Sequence, residues 1–229
     1  MMGAHPPLAL DIDGTMTRPD DTIDPRLFDI LTSWDGPIIL ATGKAFPYPV
    51  ALCHFIGIPK RVVAENGGVL CIDETVELVS STEQIEAFRH ELAQAGIDIG
   101  WGVNDLVNRW RETELAIDRS VSRSRLESMA SDHALEVIDS GYAYHIKDPT
   151  VSKGSGIARA GQLLGFELTE VVAIGDSEND VSTFERVGTS IALENADATA
   201  KAAADRICDG SYSQGTISVL MRYLNGSSE

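Results

Sequence analysis

The sequence reads as an α/β protein with a parallel sheet, interrupted by an inserted α+β module, and three observations lead there. Short apolar, β-rich runs alternate with helical patterns up to about residue 80 and again from about residue 150. These runs are almost continuously apolar, as strands covered on both faces must be. Between them, strands and helices carry more polar alternation, the mark of a sheet with one solvated face.

The elements follow in order. PPLALDI (6–12) predicts a strand, and PRLFDILTSW (25–34) a helix opened by Asp24 and Pro25. PIILAT (37–42) predicts a strand and FPYPVALCHFIG (46–57) a helix. RVVAEN (61–66) runs into GGVLCI (67–72), a strand turning at Asn-Gly into a hairpin partner. The inserted module holds a helix at TEQIEAFRHELAQAG (82–96), then RETELAID (111–118), SRSRLESMASDHA (122–134) and LEVIDSGYAYHIKD (135–148). The first style resumes with a helix at SKGSGIARAGQLLG (152–165), a strand at EVVAIGD (170–176), a helix at SENDVSTFERV (177–187) and a strand at TSIAL (189–193).

Composition narrows the function classes. With 43% hydrophobic residues in 229, the chain can bury a sizeable core, and no run reaches the roughly 20 apolar residues of a membrane span. Pro6 and Pro7 interrupt any basic-then-apolar leader, so a cytoplasmic location is expected. Cys53, Cys71 and Cys208 form no metal or disulfide spacing and read as small core residues. The net charge of −17 comes from 35 dispersed acids against 18 bases, of which five are lysines. Such a surface suits solubility in molar salt, where self-repulsion is short-ranged, and predicts a salt-adapted protein. It lacks the basic footprint that a nucleic acid partner needs.

Four stretches could carry chemistry. In LALDIDGT, Asp11 and Asp13 end the first apolar run, where a buried strand should not place charge unless a cation or a reacting group compensates it. Gly14 permits a sharp turn and Thr15 offers a hydroxyl. In ILATGK, Thr42 ends a second strand and Gly43 frees backbone amides for a phosphate. Lys153 leads a helix in a chain that otherwise avoids lysine; the GSG after it follows no buried strand, so it is no dinucleotide loop. In AIGDSENDVSTF, Asp176 ends a strand, with Asp180 one turn on and on the same side, whereas Glu178 merely complements a helix dipole. Carboxylates at the ends of two strands are oxygen ligands suited to Mg²⁺.

In this order, DIDGT, a strand-ending Thr, a helix-leading Lys and GDSEND resemble the four motifs of the haloacid dehalogenase superfamily of phosphatases. The gap of 111 residues from Thr42 to Lys153 resembles members with a large cap between the second and third motifs. ATGKAFPYPVALCHFIG and AENGG look like the archaeal phosphoglycolate phosphatase group. The resemblance implies a Rossmann-like core over 1–80 and 150–229 with an α+β cap over 81–149. It implies a Mg²⁺-dependent phosphomonoesterase acting on a small phosphorylated metabolite, 2-phosphoglycolate or else a sugar phosphate.

By the same resemblance Asp11 is the nucleophile and a metal ligand. Asp13 is the general acid and base, with a metal contact through its backbone carbonyl. Thr42, Gly43 and Lys153 hold the phosphoryl oxygens, Asp176 and Asp180 anchor Mg²⁺, and Asn179 orients the phosphate or Lys153. Lys44 stands where related sugar phosphatases often carry Arg. Of the residues in the inserted module, Arg109, Arg111, His145 and Lys147 are candidates for touching the leaving group, and spacing does not rank them. A signalling receiver shares the sheet, the phospho-aspartate, the Thr and the Lys, but needs its acidic pair early and its phosphorylated Asp on a later strand. The number of copies in solution is not legible in the sequence.

Overall fold

The computed structural model describes residues 5–226, so the outer ends of the expected core segments, 1–4 and 227–229, lie outside the described residues. In chain order the strands are β1 Leu8–Leu10, β2 Ile38–Ala41, β3 Arg61–Ala64, β4 Val69–Ile72, β5 Thr75–Leu78, β6 Glu114–Asp118, β7 Glu136–Asp139, β8 Ala143–Lys147, β9 Val172–Gly175, β10 Thr189–Ala192 and β11 Arg206–Ile207. The helices are α1 Arg26–Thr32, α2 Pro47–Ile56, α3 Glu83–Gln94, α4 Arg123–Asp132, α5 Lys153–Leu164, α6 Val181–Phe184, α7 Ala198–Ala203 and α8 Tyr212–Leu224.

Eight strands form one sheet in the order β11-β10-β9-β1-β2-β3-β4-β5. Pairing is parallel from β11 to β3 and antiparallel for β3-β4 and β4-β5. The expected hairpin partner is therefore β4. The further strand β5 extends the sheet through a tight turn that the sequence reading did not contain. From β1 the chain builds outward through β2 and β3 on one side, then through β9, β10 and β11 on the other. That reversal makes the carboxyl end of β1 a topological switch point, where open sheets of this kind leave a crevice.

Alternating side chains supply both faces of the sheet. Leu8, Leu10, Leu40 and Val62 pack with Leu27 and Leu31 of α1, Cys53 of α2 and Leu220 of α8. Ala9, Ile39 and Val63 pack with Ile157 and Ala160 of α5, Phe184 of α6 and Ala200 of α7. Cys53 and Cys71 are buried free thiols, as expected of core residues. The GSG of α5 serves packing: a side chain on Gly154 would lie 1.9 Å from the Ser182 carbonyl, so the helix can sit this close only with glycine there.

The strand and helix around two of the motifs are shorter than expected. β1 stops at Leu10, so Asp11 and Asp13 stand in the turn beyond it. The helix expected over 177–187 is a 3-10 turn at Glu178–Asp180 followed by the short α6, because Asp180 folds back onto the backbone amides of Asp176 and Ser177.

Between β5 and α5 the chain forms an antiparallel sheet, β6-β8-β7, backed by α3 and α4. Ile85 and Phe88 of α3, Leu126 and Ala130 of α4, and Leu115, Ile117 and Ile146 of the strands make its separate apolar core. Among the described residues no helix is long and apolar enough to cross a membrane.

Candidate active site

The acids converge at the switch point. Asp11 follows β1 directly, its N–H donating 3.1 Å to the Ile174 carbonyl of the neighbouring β9. Gly14 turns the chain with φ of 71°, and a Cβ there would lie 2.0 Å from Oδ2 of Asp176, so glycine lets the two motif loops touch. Asp176 accepts from Thr15 Oγ1 at 3.3 Å and from Asn195 Nδ2 at 3.2 Å. Asp180 Oδ2 accepts the N–H groups of Asp176 and Ser177 at 3.0 and 3.1 Å.

Lys153 closes the cluster. Its fully buried Nζ donates to Asp11 Oδ1 at 2.7 Å and to Asp180 Oδ1 at 2.8 Å. An ammonium has three donors, so one remains for a further acceptor. One carboxylate oxygen each from Asp11, Asp176 and Asp180 lies within 4.8 Å of the others. Three carboxylates against one ammonium leave an excess of two negative charges in a site from which water is largely excluded. Burial, reinforced by mutual repulsion, raises Asp11 to about 7 although Lys153 pulls it down. Burial and the charges of Asp11 and Asp180 raise Asp176 to about 9. Burial alone would depress Lys153, but Asp11 and Asp180 hold it above the ordinary lysine range. An oxygen-only set whose full ionisation is opposed by burial and mutual repulsion fits a hard divalent cation, which would compensate the charge.

Asp13 departs from that group. Its carboxylate is 43% exposed and pairs with Lys44 Nζ at 2.9 Å, so the side chain is not among the three clustered acids. Asp11, Asp13, Thr42, Gly43 and Asn179 line one cavity of about 210 Å³, with Lys44, Tyr48 and Ser177. Thr42 is buried at the end of β2, and its hydroxyl accepts the Lys44 N–H at 3.1 Å, leaving its own hydrogen to donate. Of the two roles expected of Asn179, the contact with Lys153 is not made: it accepts from Ser177 Oγ at 2.8 Å and donates to Asn66 Oδ1 at 3.0 Å, while its place on the cavity wall leaves the role toward the phosphate. Glu178, read as a helix-dipole residue, instead faces Arg123 of α4 at 3.4 Å.

The other wall of the cavity comes from the inserted module through Leu106, Val107, Arg111, Ser140, Tyr142 and His145. The structure thereby ranks the four basic candidates. Arg111 and His145 line the cavity; Lys147 is buried against Glu136 and the Asp148 and Val151 carbonyls, and Arg109 lies over the Trp110 ring.

Glu65, Asn66 and Glu114 are residues that sequence reasoning missed. After β3, Glu65 and Asn66 both adopt left-handed backbone, with φ of 50° and 51°. Such strain persists only where surroundings over-determine it. Here Glu65 Oε2 accepts the Glu112 N–H at 2.9 Å and the Thr113 N–H and hydroxyl at 2.7 and 2.9 Å. Asn66 Nδ2 donates to Glu114 Oε2 at 2.8 Å, while His145 Nδ1 and the Arg111 guanidinium share Oε1. Burial pushes the Glu114 carboxyl up, yet His145 and Arg111 together bring it below its ordinary value. The available signal was the Glu-Asn-Gly-Gly run at a strand end, which reads as a plain turn until its partners 48 residues away are seen.

A family model described as haloacid dehalogenase-like hydrolase matches residues 117–220. A Natronomonas pharaonis protein named phosphoglycolate phosphatase is 50% identical over 218 residues, covering 94% of this chain and 96% of its own. A Halorubrum lacusprofundi protein of the same name is 50% identical over 217 residues, with 94% and 96% covered. A crystal structure of a Thermoplasma acidophilum protein superposes with a TM-score of 0.83 at 24% identity, covering 97% of this chain and 99% of its own.

Proposed function

The chain belongs to the haloacid dehalogenase-like hydrolase family and is a phosphatase, and from that premise we propose that it hydrolyses 2-phosphoglycolate through an aspartyl-phosphate on Asp11 with Mg²⁺ as cofactor. The observation that carries this reading is Lys153 bridging Asp11 and Asp180 beside Asp176, with Asp11 of that cluster lining the small cavity. The names of the relatives at 50% identity favour phosphoglycolate over a sugar phosphate.

Asp11, Asp176 and Asp180 would hold the ion, together with the backbone carbonyl of Asp13. Bound there, Mg²⁺ supplies charge neutralisation for an anionic nucleophile meeting an anionic ester. Lys153 spends two donors on orienting Asp11 and Asp180 and keeps its third for a phosphoryl oxygen, with the Thr42 hydroxyl as a second donor. Asp11 Oδ attacks phosphorus, the bond from phosphorus to the ester oxygen breaks, and Asp13 delivers its proton to the departing glycolate. Asp13 then takes a proton from water, which displaces the aspartyl oxygen and releases phosphate.

The acidic, lysine-poor surface fits this reading in a salt-rich cytoplasm, and both relatives above come from named archaeal sources that share the family. The test is purified protein in molar KCl against a panel of phosphomonoesters with and without Mg²⁺. The expected result is metal-dependent phosphate release fastest on 2-phosphoglycolate, with a trapped phosphoenzyme. Comparable rates on hexose phosphates would overturn the substrate, and metal-independent turnover would overturn the cofactor. A melting temperature that stays flat or falls with added KCl would overturn salt adaptation.

A further inference from the structure

We propose that Arg111 reads the carboxylate of the leaving group, giving the cavity a second anion subsite opposite the phosphoryl end; the proposal rests on the phosphoglycolate reading above. The side chain of Arg111 is only 4% exposed, and its contacts are unevenly distributed. Nε donates to the Val107 carbonyl at 3.0 Å, and Nη1 donates to the Gly43 carbonyl at 2.6 Å and to Glu114 Oε1. Nη2 carries two hydrogens and has no protein acceptor among the described residues, while Arg111 lines the cavity. A guanidinium pinned on three sides with one edge free is preorganised, so little rotamer entropy is lost when an anion binds.

The pairing with Glu114 does not cancel this role. Glu114 is fully buried and absent from the cavity wall; its oxygens are taken by Arg111, His145 and Asn66. The carboxylate therefore acts as a brace behind the guanidinium, and an incoming anion meets donors. Ser140, also on the wall, holds Nε2 of His145 at 3.0 Å, which fixes the ring beside the same carboxylate.

Placement also selects ligand length. Arg111 is hydrogen-bonded to the carbonyl of Gly43, the residue after Thr42, so the anion subsite abuts the phosphoryl subsite. A carboxylate borne on the ester-bearing carbon itself suits two adjoining anion subsites, whereas a hexose phosphate would bring an uncharged ring to the guanidinium. The ligand class is a phosphomonoester of a small 2-hydroxy acid.

The experiment compares kcat/KM for 2-phosphoglycolate and for ethyl phosphate, which lacks the carboxylate, in the Mg²⁺-loaded wild type, Arg111→Met, Arg111→Lys and Lys44→Met. Wild type is expected to prefer 2-phosphoglycolate. Arg111→Met is expected to lower that preference by about 10- to 100-fold, the range of a lost charge-assisted hydrogen bond, through KM for 2-phosphoglycolate, with Arg111→Lys between. Should Arg111→Met fail to fold because Glu114 loses its partner, Arg111→Met/Glu114→Gln removes both charges and carries the same comparison. Preference retained without Arg111, or lost in Lys44→Met alone, would overturn Arg111 as the reader and leave the phosphoglycolate reading standing. No preference in wild type would overturn both.

Discussion

The two ends of the cavity are built by opposite means. At the phosphoryl end the three acids sit within a few residues of a parallel strand's carboxyl end, the sheet's order brings Asp11, Asp176 and Asp180 together, and Lys153 reaches them from the start of α5. At the other end the donors come from a long loop and from an antiparallel sheet that is largely buried in β6 and β8, where the sequence predicts one solvated face. They are held by a chain of hydrogen bonds from His145 through Glu114 and Asn66 to Asn179. One end is positioned by backbone topology and the other by side chains that must find each other across the fold. A substitution at the first end should therefore strike chemistry, and one at the second should strike which substrate is accepted.

The largest effect that could break this contrast is at Asp11. Asp11→Asn keeps the shape, removes the carboxylate proposed as nucleophile and takes one acidic oxygen from the cluster of three. Turnover on every substrate should fall to the limit of detection, with no phosphoenzyme trapped by acid quench. Residual activity that distinguishes substrates would mean that the core end also selects them.

Next is Asp13→Asn, expected to cost about 10² to 10⁴ in kcat, the usual worth of general acid catalysis. Its side chain stands apart from the three clustered acids, so Mg²⁺ affinity should largely survive. The loss should be steep on 2-phosphoglycolate and milder on p-nitrophenyl phosphate, whose leaving oxygen needs less protonation. Equal losses with weakened Mg²⁺ binding would place the Asp13 carboxylate on the metal.

The same contrast explains what the sequence disclosed. DIDGT and GDSEND were legible because charge at the end of an apolar run is costly, and the cost itself is the signal. Their order along the chain made the inference cumulative: of four stretches, each ambiguous alone, three fall on the adjacent strand ends of β1, β2 and β9 and the fourth, Lys153, opens a helix that reaches them. Arg111 gave no such signal, since one arginine in a polar loop is ordinary and its meaning lies in Gly43, 68 residues away. Glu65 and Asn66 were hidden for a related reason: Asn-Gly at a hairpin is explained locally, so nothing local asked for Thr113 or Glu114. Where Asp180 folds back on the Asp176 and Ser177 amides, helical periodicity was read where a tight turn forms.

A smaller effect tests the charge imbalance at the core end. In metal-free protein, Asp11 and Asp176 have folded-state values raised to about 7 and about 9. Raised carboxylates bind protons in the folded state that the unfolded chain has already released, so the folded state loses relative stability as pH rises. Melting temperature in chelator should accordingly decline between about pH 4 and about pH 9, and the gain from added Mg²⁺ should grow over the same window as the ion replaces protons. A Mg²⁺ increment independent of pH would show that these carboxylates are not the ones it binds.

The smallest effect concerns two of the ties between the large sheet's loops and the inserted module. Glu65 is a buried acceptor for three donors of residues 112 and 113, whereas Arg123 and Glu178 meet at 3.4 Å with side chains 38% and 33% exposed. Removing the buried acceptor strands donors away from water, at about 1–3 kcal/mol for each group left unpaired. The exposed pair is screened and entropically costly to hold, and is worth at most about 0.5 kcal/mol at this exposure. Arg123→Gln also gives up the Arg123–Glu127 pair within α4, worth about as much again, so it should move the melting temperature by no more than about 4 °C in low salt, the shift that such an energy produces in a chain of this size. In molar KCl, where the screening length falls to about 3 Å, the shift should vanish. Glu65→Ala should cost several times more and should persist in salt, because burial protects its bonds from screening. If the ranking were reversed, with Arg123→Gln the costlier change at molar KCl, the inserted module would be held by its surface, and the hydrogen-bonded chain behind Arg111 could not be what positions it.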